Sequence, residues 1–223
     1  MQTNLQRELD KLKNEIMNMF ALSERALEKA LQSIFDRDDQ LAESVIDGDA
    51  EINRLQVAVD ERCVRMLALE QPVARDLRFI VGCSRIAVDL ERIGDQATNL
   101  AERALLLNQR PALPFYNILK ALSDAVFRMF KQSIQAFTNL DTAQAVEVCT
   151  MDREADDHNI RIIKKLIDYM CCEQIVIERS VHTILASNSL ERVGDLATNI
   201  AETVVFIDEG QDIRHDCQWN PQE

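Results

Sequence analysis

Residues 91–102 read ERIGDQATNLAE, and residues 191–202 read ERVGDLATNIAE. Nine of the twelve positions are identical, and two of the three differences exchange Ile with Val and Leu with Ile. Helix propensity alone does not produce a match this dense at an offset of 100 residues. The match indicates a duplicated chain, which predicts two similar helical bundles related by a pseudo-twofold axis. A continuous six-helix solenoid is the alternative.

Turn-forming residues divide the whole chain into six segments of roughly 30 residues, each with an apolar period near 3.6. The breaks fall near 38–39, at 71–72, at 108–114, at 139–141, at 172–174 and after 208. The densest proline cluster, QRPALP at 109–114, marks the main boundary. We therefore predict an all-α fold of six long helices in two repeated antiparallel three-helix bundles. The bundles span 1–110 and 111–209, and an acidic tail follows at 210–223.

The composition of the chain argues against several classes of protein. Its 223 residues include 25 Lys and Arg against 38 Asp and Glu, which gives a formal net charge of −13. This balance disfavours binding to nucleic acid and to an anionic membrane surface, because both require clustered cations. No stretch approaches the ~18 apolar residues of a membrane helix, and the first residues contain no apolar signal core. We expect a cytoplasmic protein with no direct membrane insertion.

Each copy of the repeat carries a polar stripe on its helix. Glu91, Asp95, Asn99 and Glu102 follow 4-4-3 spacing, so they share one helix face, opposite an apolar seam and therefore outside the bundle. A solvated face is the usual meaning of such a stripe. Here, however, the stripe recurs whole in the second copy, as Glu191, Asp195, Asn199 and Glu202. A glycine also interrupts each stripe, which indicates close approach of another helix.

A second polar pair precedes each stripe. Asp49 and Asn53 lie four residues apart, as do Asp152 and Asp156. In an antiparallel hairpin, facing residues lie equally far from the turn. Facing Asp49 with Asp95 places the turn at residue 72, and facing Asp152 with Asp195 places it between residues 173 and 174. Both positions fall on turns that the sequence predicts independently, so each hairpin can present four oxygen-bearing side chains to one place.

Clusters of carboxylate and amide oxygens suit hard cations. Mg²⁺, Mn²⁺, Ca²⁺ or iron fits such a set better than a structural Zn²⁺, which prefers Cys and His. A carboxylate-bridged metallohydrolase or oxidase is the alternative use of the same residues. Di-iron oxidase bundles need inward Glu-x-x-His pairs, and none of the three histidines stands three residues after a Glu. We therefore predict a protein that is not an enzyme and has no catalytic residues.

The duplicated segments resemble the metal-binding motifs of the PhoU family of phosphate-transport accessory proteins. The family motif is an acid, three residues and then an Asp, on two helices of each half. The resemblance extends from about residue 5 to 208, and QPVARDLRFI at 71–80 resembles the family's entry to its third helix. In this chain the motif appears as Asp49–Asn53, Glu91–Asp95, Asp152–Asp156 and Glu191–Asp195. Together with the remaining residues of the two stripes, Asn99, Glu102, Asn199 and Glu202, these pairs form the predicted metal-ligand set. Asn53 departs from the family motif, which leaves the first site with one charge fewer and weaker expected binding.

The resemblance also implies a function. PhoU proteins consist of two three-helix bundles, are often dimeric and carry metal ions on their surface; Mg, Mn, Fe and Zn all remain candidates, because availability decides among them. They act as negative regulators of the phosphate-starvation response. They bridge the phosphate ABC transporter, through its ATPase PstB, and the sensor kinase PhoR. On this basis we expect a metal-binding regulatory adaptor that forms a homodimer and reaches the inner membrane peripherally, through the transporter.

Overall fold

The computed structural model describes residues 4–213 and consists almost entirely of six long α-helices. The helices are α1 (Asn4–Phe35), α2 (Asp39–Glu70), α3 (Ala74–Asn108), α4 (Tyr116–Asn139), α5 (Thr142–Cys172) and α6 (Ile177–Glu209). One short 3₁₀ turn, Gln174–Val176, precedes α6. Between residues 4 and 213 there is no β-strand. The predicted all-α fold of six helices is therefore confirmed.

Single residues in the sequence account for where several of the helices begin and end. Asp38 precedes α2 and accepts a hydrogen bond from the backbone N–H of Gln40 at 2.9 Å. Asp141 precedes α5 and accepts one from the backbone N–H of Gln144 at 3.0 Å. Aspartate at this position satisfies a backbone donor that has no partner inside the helix. Gly210 ends α6 with φ of 77°, a left-handed conformation that glycine adopts without a steric penalty.

The helices pack in two groups of three that meet along α3 and α6. α1, α2 and α3 contact one another, as do α4, α5 and α6, and the α3–α6 contact is the most extensive in the molecule. The start of α3 meets the end of α6, since Arg78 donates to the carbonyl of Ile207 at 3.1 Å. The two long helices therefore run antiparallel. A single hydrophobic core joins the two groups, and the division at residue 110 stays a sequence prediction.

The contact between α3 and α6 depends on a glycine. A Cβ atom on Gly82 would lie 2.4 Å from Cγ1 of Ile207, closer than non-bonded carbon atoms approach. Around this point Arg78 also donates to the carbonyl of Asp208 at 2.9 Å, and the guanidinium of Arg85 lies 4.5 Å from the ring centre of Phe206. These contacts fix the position of each half against the other, and with it the position of the polar stripes.

Two further predictions concern the end of the chain and the membrane. Of the predicted acidic tail at 210–223, residues 214–223 lie outside the described residues. Within the described range, none of the helices combines the length and the apolar composition that crossing a membrane requires.

Candidate metal centre

The first half of the chain brings together the four side chains that hairpin geometry predicts. Asp49 and Asn53 come from α2, and Glu91 and Asp95 come from α3. Partial burial raises the pKa of Glu91, and the charges of Asp95 and Asp49 raise it further. Burial and the charge of Asp49 likewise raise the pKa of Asp95. These carboxylates thus lie close enough to repel one another, and we call them, with Asn53, the first cluster.

Two oxygen atoms of the first cluster are buried without a hydrogen-bond partner. The side-chain amide of Asn53 donates to Oδ2 of Asp49 at 2.8 Å, which ties the two α2 residues together. Oδ1 of Asp49 and Oδ1 of Asn53 are left buried with no donor. Leaving a buried acceptor unsatisfied costs roughly 1–3 kcal/mol, so native structures rarely do so without a ligand or water in place.

The second half repeats the arrangement with four carboxylates. Asp152 and Asp156 of α5 approach Glu191 and Asp195 of α6, and we call these four residues the second cluster. Burial, followed by the charges of Asp156 and Asp195, raises the pKa of Asp152 to about 6. Burial, followed by the charges of Glu191 and Asp156, raises the pKa of Asp195 to about 6. The pKa of Glu191 is also raised, by burial and then by Asp156 and Asp152.

Neither cluster has an ion-pair partner among the described residues, and the nearby Arg92 and Arg192 only partly offset the rise in carboxylate pKa that burial causes. None of the ion pairs that the structure shows among residues 4–213 includes a carboxylate of either cluster. In the same part of the chain, no three His, Cys, Asp or Glu side chains are gathered as tightly as they would be around an ion. Carboxylates without an ion-pair partner repel one another, and drawing them closer requires a positive charge between them.

The glycine in each stripe has a different neighbour in each half. A Cβ atom on Gly94 would lie 3.0 Å from Cδ1 of Ile52 and 3.7 Å from Oδ1 of Asp49. This glycine therefore lets α2 approach α3 at the first cluster, as predicted. A Cβ atom on Gly194 would lie 3.7 Å from the sulfur of Met129, an ordinary van der Waals distance. The expected close approach is therefore confirmed for the first half and wrong for the second.

The remaining four stripe residues lie further along the helices, away from the clusters. Asn99 donates to Oε1 of Gln96 at 3.5 Å and lines a separate cleft between α3 and α6. Glu102 pairs with the neighbouring Arg103 at 3.4 Å. Asn199 and Glu202 line a second cleft of about 370 Å³ between the same two helices. The structure thus brings together eight of the twelve predicted residues and leaves these four apart.

The predicted exposed position of Glu202 is wrong. Only 8% of this residue is exposed, because α6 packs against α3, α4 and α5 and has few free faces. The prediction also missed its neighbour Asp89, which is equally buried. Burial raises the pKa of Asp89 to about 7; Arg92 lowers it and Glu202 raises it. The repeat gave no signal for Asp89, because the corresponding residue in the second half is Ser189.

The donor atoms in the clusters fit a hard cation. Every side chain contributes oxygen, neither cluster includes His or Cys, and two oxygens of the first cluster have no partner. Oxygen-only sets of this kind suit Mg²⁺, Mn²⁺, Ca²⁺ and iron better than Zn²⁺. Asp49, Asn53, Glu91 and Asp95 would hold an ion in the first half, and Asp152, Asp156, Glu191 and Asp195 in the second.

The fold and the two clusters define a class: an all-helical, internally duplicated protein with a set of oxygen donors in each half. The family model described as the PhoU domain matches this chain twice, at residues 16–104 and 119–204. Each match covers one group of three helices and includes one cluster. The chain belongs to the PhoU family.

Similar proteins and structures agree with this assignment. The chain is 36% identical to the phosphate-specific transport system accessory protein PhoU homolog of Pseudomonas aeruginosa, over 93% of this chain and 86% of that protein. It is 33% identical to the phosphate-specific transport system accessory protein PhoU of Escherichia coli, with the same coverage. The crystal structure of PhoU from Pseudomonas aeruginosa matches with a TM-score of 0.89 at 35% identity, covering 92% of this chain and 99% of that one. The crystal structure of the phosphate transport system regulatory protein PhoU from Streptococcus pneumoniae matches with a TM-score of 0.87 at 27% identity, covering 94% and 99%.

Proposed function

We propose that this protein is a metal-binding negative regulator of phosphate uptake and of the phosphate-starvation response. It acts as an accessory protein of a phosphate-specific transport system. In this role it is an adaptor between the ATPase PstB of the transporter and the sensor kinase PhoR. It catalyses no reaction, forms a homodimer and resides in the cytoplasm, where the transporter brings it to the inner membrane.

The observation that carries this proposal is the similarity of the whole chain to phosphate-transport accessory proteins. Relatives at 33% and 36% identity are aligned over 93% of this chain, so both halves and both clusters take part in the match. A shared fold alone does not establish a function. The two clusters support the proposal further, because a cation bound at either one would act on two long helices at once.

The proposed metal ligands are the eight residues of the two clusters. The last two residues of each stripe are left out, because they lie in other clefts or pair with another side chain. The second cluster has four carboxylates and the first has three, which favours stronger cation binding in the second half. A bound cation would place a positive charge between these carboxylates, where no ion pair of the described residues reaches. Each cluster joins two long helices, so drawing its carboxylates together would stiffen the face that both helices present to a partner.

Complementation in bacteria tests the proposal. The chain would be expressed in a strain that lacks its own PhoU, and alkaline phosphatase activity at high phosphate would report the starvation response. We expect the wild-type chain to restore repression. We expect loss of repression in a variant that neutralises the second cluster, Asp152→Asn/Asp156→Asn/Glu191→Gln/Asp195→Asn. Pull-downs of PstB and PhoR in the presence of Mn²⁺ or Mg²⁺ would then identify which contact is lost.

A matched control separates the cluster from net charge. The variant Glu28→Gln/Glu43→Gln/Glu147→Gln/Glu209→Gln also removes four negative charges, at exposed positions that take part in none of the ion pairs among the described residues. It should repress as the wild type does. The regulatory proposal is wrong if the wild-type chain fails to restore repression and binds neither partner. The metal-dependent part of the proposal is wrong if the second-cluster variant represses fully.

A further inference from the structure

The outer faces of α2 and α5 each expose two large apolar residues at matching positions of the repeat. Val57 and Val64 on α2 are 54% and 67% exposed, and Ile160 and Ile167 on α5 are 49% and 47% exposed. The offset between the pairs is 103 residues, the same offset that relates Asp49 to Asp152. The two helices share few other residues, so duplication alone does not account for apolar residues on both solvent faces.

The charges around these apolar pairs are inverted between the two helices. Arg54 corresponds to Asp157, Glu61 corresponds to Lys164, and Arg65 corresponds to Asp168, all at the offset of 103. All six side chains are exposed. We call Arg54, Val57, Glu61, Val64 and Arg65 the α2 stripe, and Asp157, Ile160, Lys164, Ile167 and Asp168 the α5 stripe. Successive residues of an α-helix are rotated by about 100° around its axis, so the five residues of each stripe lie within an arc of about 100° on one side of the helix.

The charges of the two stripes have no ion-pair partner within the described chain. Opposite charges do stand close in sequence on the same helix, such as Glu61 and Arg65 four residues apart. None of the ion pairs among residues 4–213, however, includes a charge of either stripe. Alternating charge on an exposed helix usually reflects such internal pairs. Within one molecule the two stripes also lie apart, because α2 and α5 make no contact. Both stripes are therefore open to another molecule.

An antiparallel pairing of the two stripes matches both the apolar and the charged residues. In an antiparallel pair of helices, the numbers of facing residues have a constant sum. Val57 with Ile167 and Val64 with Ile160 both sum to 224, so one register places both apolar pairs face to face. In this register Glu61 lies about 1.5 Å along the axis from the level of Lys164. Arg54 lies about 3 Å from the level of Asp168, and Arg65 about 3 Å from the level of Asp157. Each charge thus meets an opposite charge.

We propose that the α2 stripe is the docking surface for the α5 stripe of a second copy of this chain. α2 and α5 run antiparallel within one molecule, because α2, α3, α6 and α5 alternate in direction along the fold. A twofold axis parallel to the helices then makes both contacts of a dimer antiparallel and identical. In such a dimer each chain contributes one stripe of each kind to the interface. This inference rests on the proposed homodimer, but it does not depend on metal binding or on the regulatory role.

Charge reversal and charge exchange test the interface. Sedimentation velocity would measure the dissociation constant of the full chain over a range of protein concentrations. We expect Glu61→Lys to weaken the dimer about tenfold or more, because both contacts then place a second positive charge against Lys164. Lys164→Glu should weaken it similarly. The double variant Glu61→Lys/Lys164→Glu restores opposite charges and should return the constant to within about threefold of the wild type.

Controls keep the result specific to these stripes. Glu28→Lys changes an exposed charge on α1 by the same amount and should leave the dimer unchanged. Val64→Asp should produce a monomer whose circular dichroism matches that of the wild type. The proposal is overturned, together with the proposed homodimer, if the wild-type chain is monomeric at all concentrations. The interface alone is overturned if the single reversals leave dimerisation unchanged, or if the double variant dimerises no better than either single variant.

Discussion

Repulsion within the clusters can be tested at one pair of corresponding positions, Asp156 in the second cluster and Asn53 in the first. Replacing each residue by its counterpart removes one negative charge from the second cluster or adds one to the first. Asp156 raises the pKa of Asp152, Glu191 and Asp195, and its counterpart in the first half is the neutral Asn53. Asp156→Asn therefore removes repulsion from three carboxylates at once. Repulsion between partly exposed like charges costs a few tenths of a kcal/mol per pair, so three pairs amount to about 1 kcal/mol. The metal-free protein should become more stable by this amount at pH 8.

The assay is thermal unfolding in the presence of a chelator. For a chain of this size, 1 kcal/mol corresponds to a shift of about 2–4 °C in the unfolding midpoint. We expect Asp156→Asn to raise the midpoint at pH 8 and Asn53→Asp to lower it. Near pH 4.5 the shift of the Asp156→Asn variant should shrink, because Asp152 and Asp195, with pKa values of about 6, are then largely protonated. An Asp156→Asn variant that is no more stable than the wild type at pH 8 would refute this reasoning.

Two further predictions concern pH and packing. Because the pKa of Asp152 rises from 3.8 to about 6 on folding, the stability that it contributes is fully present below pH 3.8 and is lost as the pH rises through about 6. Chelator-treated protein should therefore lose stability across this window in urea unfolding, and Mn²⁺ at pH 7.5 should restore it; a flat pH profile would contradict the prediction. Gly82→Ala should destabilise the protein by about 1–3 kcal/mol, because the new methyl group would meet Ile207. Gly48→Ala, where nothing lies within 4 Å, should stabilise it by up to about 1 kcal/mol, and a Gly82→Ala variant as stable as Gly48→Ala would contradict the packing account.

The fold was largely predictable, because its signals are local. The period of apolar residues gives the helices, and Asp38, Asp141 and Gly210 mark their ends. The repeat shows that the two halves are alike. Facing residues of an antiparallel helix pair lie equally far from the turn between the helices. This rule alone places Asp49 near Asp95, without any knowledge of side-chain contacts.

Burial at the junction between the halves was not predictable. Glu202 is buried because α3 of the other half covers it, and periodicity within α6 contains no information about that contact. The same holds for Asp89, whose counterpart Ser189 carries no charge, and for Gly82, which only the approach of Ile207 explains. These residues depend on how the halves meet, which no single helix encodes.

The central claim is that the two clusters hold metal ions, and metal retention tests it most directly. The chain would be purified without chelator, dialysed against Mn²⁺ and then against metal-free buffer, and assayed by elemental analysis. The variant Asp49→Asn/Asp95→Asn/Asp152→Asn/Asp195→Asn would be treated in the same way. We predict that the wild type retains metal and the fourfold variant does not. The pair Asp152→Asn/Asp195→Asn alone should lose more metal than the pair Asp49→Asn/Asp95→Asn alone. Equal metal in both proteins, or none in the wild type, would contradict the claim.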